Sequence, residues 1–130
     1  MSLNVLVVDD SAVMRSMIIK TLDMTGMELG EIHEASDGQQ GLDMLEEHWV
    51  DLVLADINMP GMNGQEMIEK IRENPHWEAV PIIVVSTEGS ETRIEALRQL
   101  GAKFIHKPFN PSQIRKMIQD MTGVGYEQSI

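Results

Sequence analysis

The stretch Val5-Leu6-Val7-Val8-Asp9-Asp10-Ser11 decides how this 130-residue chain folds. Four apolar residues in a row run straight into two carboxylates. An unbroken apolar run of this length, closed by polar residues, reads as a strand buried on both faces, which implies a parallel sheet covered by helices. Three more runs end the same way: Leu52-Val53-Leu54-Ala55 at Asp56, Ile82-Ile83-Val84-Val85 at Ser86-Thr87, and Phe104-Ile105 through His106 at Lys107-Pro108. In such a sheet the carboxyl-terminal strand ends share one edge, and ligand sites form there. Three carboxylates, a hydroxyl and an ammonium are therefore expected to converge.

Working outward, strand and helix signals alternate five times. Ser11 caps a helix with Met14, Met17, Ile18 and Leu22 on its apolar face, ending near Gly26. A short strand is expected around Ile32 to Ala35. Asp37-Gly38 opens a second helix with Leu42, Leu45 and Trp49 inward, and the third strand covers 51–56. The loop Asn58-Met59-Pro60-Gly61-Met62-Asn63-Gly64 cannot be helical throughout, because one proline and two glycines interrupt it. A third helix carries Met67, Ile68 and Ile71 and stops at Asn74-Pro75. The fourth strand covers 80–86, and a helix with Ile94, Leu97 and Leu100 follows, ending before Gly101. After a short fifth strand, Asn110-Pro111 gives a cap with proline at the first helical position of a helix carrying Ile114, Met117, Ile118 and Met121. The expected architecture is α/β, a doubly wound five-stranded parallel sheet with right-handed crossovers. One domain over 1–122 with a loose tail over 123–130 is expected, and no output domain.

Composition narrows the function classes. A net charge of −11 argues against nucleic-acid binding, which needs a basic footprint. There is no cysteine, so no disulfide framework and no thiolate metal site, and a cytoplasmic location is expected. The first strand starts too early for a signal peptide, and no apolar run is long enough to insert into a membrane. Of the eleven methionines, Met14, Met17, Met67, Met117 and Met121 fall on helical apolar stripes and are expected in the core.

Asp9, Asp10 and Asp56 brought together would repel one another without a cation. Hard oxygen ligands with no histidine or thiol select Mg²⁺ or a similar ion that keeps several waters. Lys107 can pair with an anion, and Ser86 or Thr87 can donate to a phosphoryl oxygen. Such an assembly suits an aspartate that accepts a phosphoryl group, the developing charge being spread by the ion, Lys107 and Ser86. An Asp-Asp pair alone would equally be a turn and helix cap; Asp56 and Lys107 in register are what favour the site.

The chain resembles bacterial two-component receiver domains, and among them the stand-alone chemotaxis regulators. The resemblance covers residues 4 to about 122. It rests on Val7-Val8-Asp9-Asp10-Ser11, Asp56-Ile57-Asn58-Met59-Pro60-Gly61-Met62-Asn63-Gly64, Val84-Val85-Ser86-Thr87-Glu88 and Lys107-Pro108-Phe109, four motifs in order at successive strand ends. It implies the flavodoxin-like (βα)5 fold with strand order 2-1-3-4-5. It also implies Asp56 as phosphoryl acceptor, Asp10 as direct Mg²⁺ ligand, Asp9 as the acidic partner reaching the ion through water, and Asn58 as the donor of a backbone carbonyl. Ser86 becomes the switch hydroxyl, Lys107 the phosphate-pairing lysine and Phe104 the aromatic switch, although Phe104 fits simple packing too. Family members often carry tyrosine at that position, and some place tryptophan where Ile57 stands here. The Lys107–Pro108 peptide is expected to be cis.

On this reading the chain is a phosphorylation-activated switch, not an enzyme acting on a separate substrate. A sensor histidine kinase supplies the phosphoryl group, and a protein target binds the face of helix four, strand five and helix five. A phosphorelay intermediate, passing the group to a histidine phosphotransfer protein, is the alternative. An aspartyl-phosphate phosphatase needs a second aspartate where Asn58 stands, and a flavodoxin needs a hydroxyl- and glycine-rich loop where Asp9-Asp10 would repel phosphate. His33, His48, His76 and His106 are scattered without ligand spacing and are expected to be structural or solvated, and Trp49 and Trp77 to pack beneath helix ends and loops.

Overall fold

A computed structural model describes residues 2–57, 61–87, 90–107 and 109–122. Among them strands and helices alternate as β1 (Leu3–Val8), α1 (Ala12–Asp23), β2 (Leu29–Ala35), α2 (Gly38–Glu47), β3 (Leu52–Ala55), α3 (Gly64–Glu73), β4 (Ile82–Ser86), α4 (Glu91–Gln99), β5 (Lys103–His106) and α5 (Pro111–Thr122). The strands form one parallel sheet in the order β2-β1-β3-β4-β5. This is the doubly wound flavodoxin-like arrangement expected from the sequence.

The unbroken apolar runs of β1, β3 and β4 exist because each of these central strands feeds two cores. Alternate side chains leave a strand on opposite faces. Leu6 and Val8, Val53 and Ala55, and Ile82 and Val84 thus meet Leu45 of α2, Met67, Ile68 and Ile71 of α3 and Leu97 of α4. Val5 and Val7, Leu52 and Leu54, and Ile83 and Val85 meet Ile18 and Leu22 of α1 and Ile114 and Ile118 of α5. Full burial of one such aliphatic side chain stabilises by about 1.5–3 kcal/mol, which favours apolar residues on both faces over Val5–Val8, Leu52–Ala55 and Ile82–Val85.

The starts of α1, α2 and α5 follow the expected caps, and α3 has a further one at Asn63. Ser11 Oγ accepts from the Met14 amide (3.2 Å), Asp37 Oδ1 from Gln40 (2.8 Å) and Asn63 Oδ1 from Glu66 (2.9 Å). At α5, Asn110 Oδ1 accepts from the Gln113 amide while Gln113 Oε1 accepts from that of Asn110, both at 2.9 Å. This reciprocal pair satisfies two otherwise orphaned donors.

Arg72 joins separate pieces on the α3 side. Its Nε donates to the Leu100 carbonyl at 2.6 Å, and its Nη1 donates to those of Glu78 and Val80 at 3.0 and 2.8 Å. Burial pushes its pKa down from the usual value.

Several expectations need correction. Trp49 is 78% exposed instead of inward. The helical period stops at Glu47, and His48 is extended (φ −134°, ψ 151°), so Trp49 leaves the Leu42–Leu45 stripe and its indole donates to Asp51 Oδ1 at 2.9 Å. Met17 is 56% exposed, because the stripe of α1 that faces the sheet is Met14, Ile18 and Leu22. Met67 is fully buried, and Met14, Met117 and Met121 pack against the cores as expected. Trp77 packs against the α2–α3 core. Strand β2 begins at Leu29, earlier than expected; as an edge strand it is only half covered, so its sequence lacks a continuous apolar run. Asn4 Oδ1 accepts from the Glu31 amide at 2.9 Å, beside the register shift between Leu3 and Val5.

Candidate functional site

Ladder register brings the polar residues together. Val8 pairs with Ala55, so Asp9 and Asp56 leave β1 and β3 side by side. The Asp56 amide donates to the Val8 carbonyl and that of Asp9 to the Ala35 carbonyl, both at 3.0 Å, which fixes both chain directions past the sheet edge. These strands flank the point where the strand order reverses, the crevice in which ligands of doubly wound sheets sit. Ser86, fully buried, closes β4, and its carbonyl accepts from the Lys107 amide at 2.9 Å.

The lysine head reaches across this edge. Lys107 Nζ lies 3.5 Å from Asp9 Oδ2 and 3.6 Å from Asp56 Oδ2. Asp9 is 1% exposed, whereas Asp10 is exposed. Burial raises the Asp9 pKa; the Ser11 amide (2.9 Å to Oδ1) and the Lys107 charge oppose the rise, and Asp56 and Asp10 add to it.

These residues fit a hard divalent cation. Carboxylate oxygens of Asp9, Asp10 and Asp56 lie within 4.8 Å of one another. Asp9 Oδ2 is buried and accepts no hydrogen bond; the Lys107 ammonium at 3.5 Å offsets part of its charge, but three carboxylates face that one cation, which leaves negative charge for a metal ion to balance. The donor set is all oxygen, as Mg²⁺ requires. Asn58, expected to add a carbonyl, lies outside the described residues, as does Pro108 and with it the peptide bond expected to be cis.

Two supports of this pocket carry no motif. Arg15 of α1 donates from Nη1 to the Asp9 carbonyl at 2.6 Å and from Nε to Glu34 Oε1 at 3.0 Å, clamping the loop after β1. Its only trace in the sequence is a cation one turn after the Ser11 cap. Gly64 was expected as a turn residue, but what it provides is close approach. A Cβ there would collide with the Asp56 carbonyl oxygen and stand 2.7 Å from the Ile57 Cα. The Gly64 amide donates to the Ile57 carbonyl at 2.8 Å, folding the start of α3 back against the residue after Asp56.

Phe104 is half-buried against the α2–α3–α4 core, and His106, exposed, meets it edge-on with ring centroids 4.6 Å apart. A groove of about 540 Å³ runs along β5 and α5, with Phe104, His106, Met117 and Asp120 in its walls. Of the four histidines expected to be scattered, His33 and His48 come together and stack on each other beside Glu31.

A doubly wound sheet with an acidic trio and an apposed lysine at its carboxyl edge defines a class of α/β signalling domain. The chain belongs to the response regulator receiver domain family, which it matches over residues 5–119. It is 36% identical over 125 residues to a chemotaxis protein CheY homolog of Campylobacter jejuni, covering 95% of each chain. It is 32% identical over 123 residues to chemotaxis protein CheY1 of Helicobacter pylori, covering 93% of this chain and 98% of that one. The crystal structure of Vibrio cholerae chemotaxis protein CheY4 superposes with a TM-score of 0.81 at 32% identity, over 93% of this chain and 99% of that one. Among the described residues no helix is long and apolar enough to cross a membrane.

Proposed function

We propose that this protein is a phosphorylation-driven switch of a chemotaxis-type two-component pathway, with residues 1–122 as the signalling unit and Asp56 as phosphoryl acceptor. The observation that carries this reading is the placement of Lys107 Nζ between Asp9 and Asp56 at the sheet edge. A carboxylate oxygen of Asp56 attacks the phosphorus of a kinase phosphohistidine. A P–O bond forms and the P–N bond breaks, its electron pair staying on the imidazole nitrogen, which takes up a proton. Asp9, Asp10, Asp56 and the Asn58 carbonyl would hold Mg²⁺, which when bound supplies positive charge to the oxygens of the transferring group. Lys107 then exchanges a carboxylate partner for a phosphoryl oxygen, and the Ser86 hydroxyl donates to another. The chain thus catalyses only its own phosphotransfer and dephosphorylation.

The phosphoryl group adds roughly one to two negative charges. Drawing Ser86 toward it opens space that Phe104 fills by turning inward from the wall of the β5–α5 groove. The α4–β5–α5 face is thereby reshaped, and the downstream protein binds there. A shift of this kind extends only as far as the difference in target affinity between the two states, typically about 1–3 kcal/mol.

Intact-mass spectrometry with acetyl phosphate tests the reading. One phosphoryl group should be added only with Mg²⁺ present, and none in Asp56→Asn. Unchanged labelling in that variant would place the acceptor elsewhere.

A further inference from the structure

His33 lies on β2, and His48 is the residue at which α2 ends. Their rings stack with centroids 3.9 Å apart and planes inclined by 17°. Glu31, two residues before His33 on the same strand, projects to the same face because strand side chains repeat every second residue. One carboxylate oxygen of Glu31 and one nitrogen from each ring lie within 4.8 Å of one another. This cluster stands apart from the acidic pocket. α2 starts just beyond the carboxyl end of β2 and runs back along the sheet, so its end at His48 lies toward the opposite edge from Asp56.

A second observation points to a ligand. His33 Nε2 is buried and has no hydrogen-bond partner. Glu31 Oε2 stands 3.6 Å from it, too far for a hydrogen bond. His33 pairs in register with Leu6, whose side chain belongs to the α2–α3–α4 core, so the imidazole is held on that side of the sheet. A buried ring nitrogen left in this way costs free energy that a ligand would recover.

We propose that Glu31, His33 and His48 form a second metal site, one for a borderline divalent transition ion, Zn²⁺ being the representative case, with water completing the shell. Two imidazole nitrogens and one carboxylate suit such an ion, whereas Mg²⁺ prefers oxygen alone. Ligand atoms around tetrahedral Zn²⁺ stand about 3.3 Å apart, given Zn–N distances of about 2.0–2.1 Å. Reaching that spacing requires the two rings to fan apart. The outer partners can move: the Glu31 side chain is 71% exposed and that of His48 36%. Glu47 Oε2, 3.9 Å from His48 Nε2, adds negative charge at the rim. An ion held here would clip the half-covered edge strand β2 to the end of α2 without entering the phosphoryl chemistry.

Calorimetric titration of the chelator-treated full chain with ZnCl₂, in excess Mg²⁺ to occupy the Asp9–Asp10–Asp56 pocket, tests the proposal. One equivalent should bind, with only the His33 and His48 ring signals shifting in the histidine NMR spectrum. Glu31→Gln, His33→Gln and His48→Gln should each weaken binding at least about tenfold, since even the outer partners of metal ligands are worth about 10–100-fold. His76→Gln and His106→Gln should leave it unchanged, as should phosphorylation of Asp56 in His48→Gln. Glu31 and His48 can be changed without disturbing the core, so loss of folding cannot mimic loss of binding there. Absence of saturable Zn²⁺ binding, or equal affinity in wild type and both Glu31→Gln and His48→Gln, would overturn it.

Discussion

Lys107 Nζ stands 3.6 Å from Asp56 Oδ2, although β5 and β3, which lead to these residues, are separated in the sheet by β4. The lysine side chain reaches over the buried end of β4 at Ser86, and both partners are largely withdrawn from water, at 14% and 13% side-chain exposure. Part of the negative charge of the pocket is therefore already balanced by the chain itself. Lys107→Met should raise the affinity for Mg²⁺, because an internal competitor for the same oxygens is gone. The same change should slow phosphorylation from acetyl phosphate at least about tenfold, in line with the loss of other preorganised charge donors. Magnesium titration followed by NMR, and mass-spectrometric labelling rates, measure the two effects. Weaker magnesium binding in the variant would contradict the competition argument.

Asp9 has a carboxyl pKa raised by burial above its ordinary 3.8. The folded chain then holds that proton more tightly than the unfolded chain does. Its contribution to stability accordingly falls as pH rises from 3.8 to the folded value, and above that it is a constant cost. In chelator at pH 7, Asp9→Asn should stabilise the protein by about 0.5–2 kcal/mol, the range common for single stabilising substitutions. The gain should shrink toward pH 4, and Mg²⁺ should stabilise the wild type but not the variant. Urea unfolding across pH reads this directly; a destabilised Asp9→Asn at pH 7 would show that the ion pair with Lys107 outweighs burial.

Gly64→Ala would drive a Cβ into the backbone at Asp56 and Ile57. Backbone has no flexible end to move aside, so a loss of about 1–3 kcal/mol is expected, as for other overpacked sites. Labelling of Asp56 should fall with it, because the carbonyl in collision belongs to the acceptor residue. Gly61→Ala is a useful contrast: its φ of +72° strains an alanine, but nothing lies within 4 Å of the added carbon. Equal labelling in wild type and Gly64→Ala would detach this contact from the site.

Arg72→Met keeps the apolar stem but removes three hydrogen bonds to the carbonyls of Leu100, Glu78 and Val80. The Leu100 and Val80 carbonyls are part-buried and that of Glu78 is exposed, so a loss of about 1–3 kcal/mol is expected, a net of about 0.5–1.5 kcal/mol for each of the two part-buried bonds. Chemical denaturation should show that loss, while phosphorylation of the folded fraction stays at the wild-type rate. A variant as stable as wild type would mean that water replaces the guanidinium.

The sequence alone determined the sheet, its helices and the identity of the acidic pocket. An apolar run that stops at a carboxylate reports both double-sided burial and the strand end. Parallel register then places residues after neighbouring strands side by side, as Val8–Ala55 pairing places Asp9 beside Asp56. These are local signals, written in consecutive residues. What the tertiary structure decided depends on contacts between distant segments. Trp49 looked inward because a helical period was extended past Glu47, and one extended residue at His48 turned it to solvent. Arg15 and Gly64 belong to the pocket through a carbonyl and a close backbone approach, neither of which leaves a residue pattern. His33 and His48 are fifteen positions apart in the sequence. Only the return of α2 along the sheet, which no spacing along the chain encodes, stacks their rings beside Glu31.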